Sequence, residues 1–568
     1  MPLAGSSDSF DYFFPGHSRE SDFGSTPWRI RLMCGICARF GVNIHADILS
    51  DNQVVVGEPN SISLDPAAGG TYLGKPILGF EGIISQIDSG RTMRVTSDVI
   101  TYTFLDLNHL IGIYNNKNFG FTAAYGLSPF SEAQRTAARD AVTLWDDLIP
   151  QTFKESKGLG ADIQFSNSLD PGQAYAYYPT KQGWKFQSDV FIADPEYNVT
   201  NKWFSPGGYG NTTLQHELGH TLGLSHPGAY NGAGATTYAA QAEYAQDSMQ
   251  YSIMSYWSGA ETGSVTRNWL TGQANYAQTP MLHDILTIQA KYGADTTTRT
   301  GNTTYGFNSN AGNAVYDFTS NKFPYLTIYD AGGVDTLDLS GYGGGNFVDL
   351  HAGAFSSVGA AVPTLAEVNA GRAALGVELF GTPLGPTTQA LLNARIAERL
   401  PLIESKIAAD TGVTGVNATQ YDNLAIAYGT VIENAIGGSA RDVLWGNQVA
   451  NKLDGRGGDD VLNGYEGADR LTGGSGNDTF QFSHVEKGDV IVDFATGDKI
   501  DLSKIDANSG LAGDQAFVFL GATAFTNVAG QLRYDGGLLS GDVNGDGLAD
   551  FTVVLANSAA LTSGDMFL

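Results

Sequence analysis

The stretch that most constrains the fold lies toward the C-terminus, where the sequence reads in nines. From Gly437, five successive registers each open on glycine, at 437, 446, 455, 464 and 473. The sixth position holds Asp442, Asn451, Asp460, Asp469 and Asp478, and the eighth holds Leu444, Leu453, Leu462, Leu471 and Phe480. A flexible Gly/Asp-rich linker would keep no such register. In the pattern G-G-x-G-x-D-x-U-x, glycines make the turns, the sixth-position oxygen reaches a cation and the apolar residue fills a core between stacked strands. The expected fold is an all-β parallel β-roll. Its expected calcium sites take in Gly438, Asp442, Gly458, Asp460, Gly467, Asp469, Gly474, Gly476 and Asp478. Asn447, Val449 and Asn451 make the second register a degenerate half-site. Beyond Gly437 every acid except Glu466 and Glu486 is an aspartate. A general solubilising charge would not discriminate so strongly, whereas short-armed Asp suits calcium ligation from tight turns. The sequence Asp542-Val543-Asn544-Gly545-Asp546-Gly547, with Asp550, is either an acidic hairpin turn or a further metal loop without the distal Glu of a full EF-hand.

A second feature carries chemistry. His216-Glu217-Leu218-Gly219-His220-Thr221-Leu222-Gly223-Leu224-Ser225-His226 fits H-E-x-x-H-x-x-G-x-x-H at every defined position. His216 and His220 lie one turn apart on one face of a helix, expected over about Thr212 to Leu222. Both imidazoles can then reach one zinc ion. Gly223 lets the chain leave the helix in a conformation that a side chain would disfavour, and His226 returns as the third ligand. Three protein ligands leave a position open, the mark of a catalytic rather than a structural zinc. Glu217, next to the first ligand, is placed to act on water there as general base. A bare H-E-x-x-H arises by chance on helices; the added glycine and third histidine, from a chain with only 9 histidines, do not fit that reading. The extended pattern followed by a Met-turn is the metzincin signature, and Ser252-Ile253-Met254-Ser255-Tyr256-Trp257 supplies that turn. Met254 can lie beneath the imidazoles, and Tyr256 can reach the metal or a developing oxyanion.

These segments resemble the serralysin family, bacterial secreted metallopeptidases within the metzincins. Further stretches are similar to the same family: Ala174-Tyr175-Ala176-Tyr177-Tyr178-Pro179, Asp247-Ser248-Met249-Gln250-Tyr251, Thr298-Arg299-Thr300-Gly301 and Tyr305-Gly306-Phe307-Asn308-Ser309-Asn310. The resemblance covers roughly residues 70 to 360 and 425 to 568. It implies an α/β metzincin catalytic domain followed by a calcium-binding β-roll with RTX repeats. It also implies calcium positions outside the nonapeptides at Arg299, Gly301, Thr303, Asp330, Gly332, Gly333, Asp335 and Glu433, residues otherwise readable as turn chemistry. The expected activity is secreted zinc endopeptidase, with protein or peptide substrates and room for a proteinaceous inhibitor. Asp565-Met566-Phe567-Leu568, an acid followed by three apolar residues, resembles the terminal signal read by type I secretion machinery.

The expected organisation is a pro-segment or disordered leader over 1–68, the zinc-peptidase domain over 69–295 and the β-roll over 296–568. The leader holds Cys34 and Cys37, the only two cysteines, which exclude a disulfide framework. Ser131 to Ile149 reads as an amphipathic helix with Ala138, Val142, Trp145 and Ile149 on one stripe, ended by Pro150. Asp162 to Phe165 and Asp189 to Ala193 read as strands. An insertion at about 361–420 interrupts the family pattern; within it Thr387 to Asp410 reads as a helix broken at Pro401. The net charge of −28 argues against nucleic acid and anionic membranes as partners. No apolar run of 18 residues suggests a transmembrane helix. A G-x-S-x-G serine-hydrolase motif is absent from the sequence.

Overall fold

The computed structural model describes residues 64, 66–67, 69–95, 98–106, 127–157, 160–169, 172–182, 185–230, 237–377 and 383–568. Cys34, Cys37 and nearly all of the expected leader lie outside the described residues. Among the described residues no helix is long and apolar enough to cross a membrane.

The N-terminal half is built on a twisted sheet ordered Thr152–Glu155, Val99–Phe104, Ile163–Ser168, Lys185–Ala193 and Ala174–Ala176, with only the last antiparallel. The strands are short and rich in β-branched and aromatic residues, as half-buried strands require. The helix Glu132–Asp146 forms where the apolar stripes predict it. Ser131 closes its N-terminus with Gln134 in a reciprocal capping box. Its buried face, Ala138, Ala141, Val142 and Trp145, packs into one apolar cluster with Ile163 and Phe165 of the sheet and Leu214 and Leu218 of the helix Tyr209–Thr221. A further helix, Leu282–Tyr292, contributes Ile285 and Ile288 to the same cluster.

The C-terminal half winds. Val443–Asn447 pairs in parallel with Val461–Tyr465, and Lys452–Asp454 with Arg470–Thr472. Each partner lies two nonapeptides further on, so alternate repeats build opposite sheets. One sheet runs Phe347–Asp349, Val443–Asn447, Val461–Tyr465, Thr479–Gln481, Lys499–Asp501 and Met566–Phe567, all parallel. The other runs Thr304–Gly306, Thr336–Asp338, Asn434–Ile436, Lys452–Asp454, Arg470–Thr472, Lys487–Ile491 and Phe551–Leu555 in parallel, then the antiparallel strands Leu538–Asp542 and Gln531–Asp535, and ends on Val518–Phe519. The eighth-position residues Leu444, Leu453, Leu462, Leu471 and Phe480 are completely buried between the two sheets.

The insertion forms two helices, Leu365–Leu375 and Gln389–Thr411. The second does not break at Pro401, as its sequence suggests; it runs straight through. A helix-interior proline costs about 3 kcal/mol or more. Leu392, Ile403 and Ile407 are buried along this helix, and full burial of such side chains returns about 1.5–3 kcal/mol each. Ile403 and Ile407 lie on Phe347, Val443 and Val461, the outward face of the winding sheet. The insertion also holds the segment after the Met-turn: Arg372 donates to the Thr271 carbonyl at 2.9 Å, and Trp269 donates to that of Thr419 at 2.9 Å. Ile403→Ala should therefore cost about 2–5 kcal/mol, measured as a lower denaturation midpoint in calcium-containing buffer.

Candidate metal centre and active site

The helix Tyr209–Thr221 is buried over nearly its whole length, which fixes its rotation and depth. Trp145 Nε1 donates to the Gln215 carbonyl at 3.1 Å and ties the two long helices together one residue before His216. Gly219 faces the Met-turn: a Cβ there would come within 2.5 Å of Met254 Sδ. The chain leaves the helix at Gly223, whose φ is +93° and whose Cβ would strike the Arg91 carbonyl. That turn carries His226 back over the helix.

The three imidazoles converge. His216 Nε2 and His220 Nε2 each lie 3.2 Å from His226 Nε2. The opposite ring nitrogens are held by backbone: His216 Nδ1 by the Ile253 carbonyl and His220 Nδ1 by the Leu224 carbonyl, both at 2.8 Å. A carbonyl only accepts, so each Nδ1 carries the proton and each Nε2 presents a lone pair. Two such lone pairs directed at the His226 Nε2 favour a cation among the three nitrogens. Ligand nitrogens about 2.0–2.1 Å from a tetrahedral zinc lie about 3.3–3.4 Å apart, close to the observed spacing. Burial holds His216 down to about 4 and His220 to about 3, the latter also lowered by His216, so both are neutral near pH 7. Burial likewise holds His226 well below its ordinary value. These donors fit a zinc ion. Glu217 is buried beside them at 2 % exposure. The Tyr256 ring lies 4.4 Å from that of His226 and 6.1 Å from that of His216. Tyr178, just past the edge strand Ala174–Ala176, sets its ring 5.9 Å from His220.

Two residues of the site were not identified as such from the sequence. Asp284 Oδ1 accepts from Ser252 Oγ, and its Oδ2 accepts from the backbone of Ile253 and Met281, at 2.6, 2.6 and 2.8 Å. It thereby pins the Met-turn to the helix Leu282–Tyr292. Asp247 accepts from Tyr230 and Ser255. Burial pushes Asp284 up to about 6 and Asp247 to about 7. Asp284 takes the Met281 N–H locally, as the third residue of its helix; the other donors to both aspartates are brought by the tertiary fold.

The sixth-position aspartates form two columns. Asp442, Asp460 and Asp478 each donate a backbone N–H to the next carboxylate, the third reaching Asp498, at 2.8, 2.9 and 3.0 Å. Asn451 and Asp469 do the same toward Asp469 and Asp489, at 2.8 and 3.0 Å. Asp469, Glu486 and Asp489 bring carboxylate oxygens within 4.8 Å of one another. Gly458, Gly467, Gly474 and Gly476 sit in the intervening turns with positive φ, while Gly438 donates to Asp442. The buried Oδ2 atoms of Asp460 and Asp478 have no hydrogen-bond partner among the described residues, which suits a cation. The degenerate register differs: the Asn451 amide donates to the Glu433 carbonyl and to Asn447 at 2.9 and 3.1 Å, so hydrogen bonds stand in for charge. Asp330, Asp335 and Glu433 form a further acidic cluster. Thr303 donates to Asp335 and Gly332 to Asp330, at 2.7 and 2.8 Å; Asp335 N–H donates to Glu433 at 2.6 Å. Asp335 Oδ2 is buried without a partner among the described residues, and a Cβ on Gly333 would strike the Gly301 carbonyl and Asp335 Oδ1. Arg299 turns its guanidinium away, to Asp147 and the Tyr329 carbonyl. At 542–550 the loop joins the antiparallel strands Leu538–Asp542 and Phe551–Leu555: Asp542 accepts from Gly545 and Gly547, and Asp550 accepts from Val543 and Asn544.

The chain matches the family model described as Peptidase M10 serralysin C terminal over residues 294–369 and 400–567. The gap falls within the insertion. It is 37% identical over 454 residues to Metalloprotease AprA of Pseudomonas entomophila (strain L48), covering 77% of this chain and 80% of that one. It is 35% identical over 478 residues to Metallopeptidase AprA of Pseudomonas marginalis, covering 82% and 85%. To Serralysin of Proteus mirabilis it is 34% identical over 370 residues, covering 62% and 60%.

The column carboxyls have a testable proton balance. Burial first, and for most of them neighbouring carboxylates next, raise Asp442 and Asp469 to about 7, Asp460 to about 8, and Asp478 and Asp489 to about 6, from 3.8. A raised carboxyl stabilises the cation-free fold fully below 3.8, and that stabilisation is lost as pH climbs through about 6 to 8. Cation binding needs the carboxylate and so expels these protons. Calcium affinity should therefore fall as pH drops from about 8 to about 6, with net proton release near pH 6 and almost none near pH 9. Calorimetry in buffers of different ionisation enthalpy measures this. Absence of proton release near pH 6 would contradict the assignment.

Proposed function

The chain belongs to the serralysin family of metallopeptidases, and from that premise we propose that it is a zinc-dependent endopeptidase whose site is assembled from His216, Glu217, His220, His226 and Tyr256. The observation that carries this reading is the convergence of three neutral imidazoles whose Nε2 atoms face one another, with Nδ1 of His216 and of His220 each held by a backbone carbonyl. His216, His220 and His226 would hold the zinc. When bound, the ion supplies Lewis acidity, which acidifies water and polarises a carbonyl. Glu217 is the general base: it takes the proton of the attacking water and returns it to the leaving amine. Tyr256 donates its phenol proton as a hydrogen bond to the oxyanion that develops on the scissile carbonyl. Met254 supports the imidazoles from below and touches no substrate. The edge strand Ala174–Ala176 packs against the site helix, where an extended peptide can add as a further strand.

In the fuller form of the proposal, residues 69–295 are a metzincin-type catalytic domain and 296–568 a β-roll stabilised by calcium in the aspartate columns and at the Asp330, Asp335 and Glu433 cluster. Asp565–Leu568 would direct export by type I machinery to a calcium-rich exterior. The orphaned carboxylate oxygens of Asp335, Asp460 and Asp478 support the calcium assignment.

Glu217→Ala should keep its zinc and lose nearly all hydrolysis of a peptide substrate. Near-normal turnover by the zinc-loaded variant would sink the assignment of the base. Tyr256→Phe should lower kcat more than it raises KM, because an interaction made mainly in the transition state appears in kcat. Steady-state kinetics distinguishes this from a substrate-binding role, for which KM alone would rise.

A further inference from the structure

Asp247 has no part in the reaction as described, yet it lies completely buried behind the site. One of its oxygens, Oδ1, accepts from two hydroxyls at once: Tyr230 at 2.7 Å and Ser255 at 2.7 Å. Those donors stand next to the two groups that must be aligned. Tyr230 follows His226 by four residues, and its ring stacks on that imidazole with centroids 5.8 Å apart and planes at 20°. Ser255 immediately precedes Tyr256. The Tyr256 ring lies against both, 4.4 Å from His226 and 5.1 Å from Tyr230. Behind them, Ser255 Oγ accepts from the Trp257 N–H at 3.1 Å, and the Trp257 carbonyl accepts from Met249 at 2.8 Å. The backbone on both sides of Tyr256 is thus tied to the segment that carries Asp247.

A buried carboxylate is a costly way to hold a fold together; apolar residues of similar volume often do so as well or better. An acceptor-only oxygen provides something they cannot, which is two short hydrogen bonds sharing one fixed point. We propose that Asp247 is a positioning residue for peptide-bond hydrolysis: through Tyr230 and Ser255 it sets the Tyr256 phenol relative to the His226 imidazole. The proposal rests on the reading of Tyr256 given above.

The test is a double-mutant cycle on the zinc-loaded full chain, with a fluorogenic peptide as substrate. Asp247→Ala and Tyr230→Phe are each made with Tyr256 intact and in the Tyr256→Phe background. With Tyr256 intact, Asp247→Ala should lower kcat about tenfold and Tyr230→Phe about threefold, with KM within about twofold and the zinc content unchanged. Asp247→Asn, which keeps an accepting Oδ1, should retain at least about half of kcat. In the Tyr256→Phe background neither variant should lower kcat further, since coupled residues are non-additive. Equal losses in both backgrounds, or loss of zinc from Tyr230→Phe, would make Asp247 a residue of the fold alone and overturn the proposal. So would an unchanged kcat in Tyr230→Phe, a conservative variant that keeps the comparison available even if Asp247→Ala does not fold. A failure of the underlying reading has its own signature: Tyr256→Phe by itself would leave kcat unaltered.

Discussion

A carboxylate taken out of water needs donors, a counter-charge or a proton, and this chain buries carboxylates in both of its halves. Around the candidate zinc centre donors meet most of the need, although Asp247 Oδ2 has none among the described residues. Asp284 collects a hydroxyl and the backbone N–H groups of Ile253 and Met281, and Asp247 collects two hydroxyls. Each thereby turns the expense of burial into directional order exactly where the Met-turn has to be held still. The pinned turn then presents the Ile253 carbonyl to His216 Nδ1, which decides the tautomer of the first ligand. The placement of three ring nitrogens thus depends on acids that never face the substrate.

In the winding half the same need is met differently. The carboxylates of each column lie one above the next, and the backbone donors they share leave the Oδ2 atoms of Asp460 and Asp478 with nothing to bind. A divalent cation satisfies several such oxygens at once. Asn451 marks the limit of the scheme: with an amide in that position the register closes by hydrogen bonds to Glu433 and Asn447, and one charge leaves the column. The eighth-position ladder supplies the apolar contact that any stacked turn needs, but it is the same in both columns and cannot distinguish them.

The parts of this molecule that were legible in its sequence are those whose geometry is local. The spacing of His216, His220 and His226, the apolar stripe over Ser131 to Ile149 and the nine-residue register each encode a shape within a few turns of chain. Asp247 and Asp284 were not legible as site residues because the partners that tie them to the site come from residues 230, 252, 253 and 255. Asp489 and Asp498 continue the aspartate columns but escape the nine-residue count, because the step between partners lengthens from 18 to 20 residues there. A signal was present: each is followed, like Asp478, by one residue and then a large apolar side chain. The helix Leu365–Leu375 buries only Val368 and Arg372, too few for an apolar period, though its capping box at Thr364 and Glu367 and its left-handed Gly376 were there to be read. Pro401 misled in the opposite sense, since its local cost is outweighed by a buried stripe that only the winding sheet provides.

The two halves share one piece of structure that neither could supply alone. Asp330 Oδ2 accepts from the Tyr305 hydroxyl, which in turn accepts from Arg299 Nε at 2.9 Å. The same guanidinium pairs with Asp147, the residue that closes the helix Glu132–Asp146. Two residues earlier, Trp145 holds Gln215 of the site helix, and Gln215 is followed by the first ligand. Leu144, the residue before Trp145, belongs to the apolar cluster of the winding half while Trp145 belongs to that of the catalytic half. One helix end is therefore packed from both sides, and a half-buried ion pair fixes it in direction. A cation that orders the Asp330 cluster orders the loop that carries Arg299. The depth of the site helix, and with it the meeting point of the three imidazoles, is set partly by acids that belong to the other half of the chain.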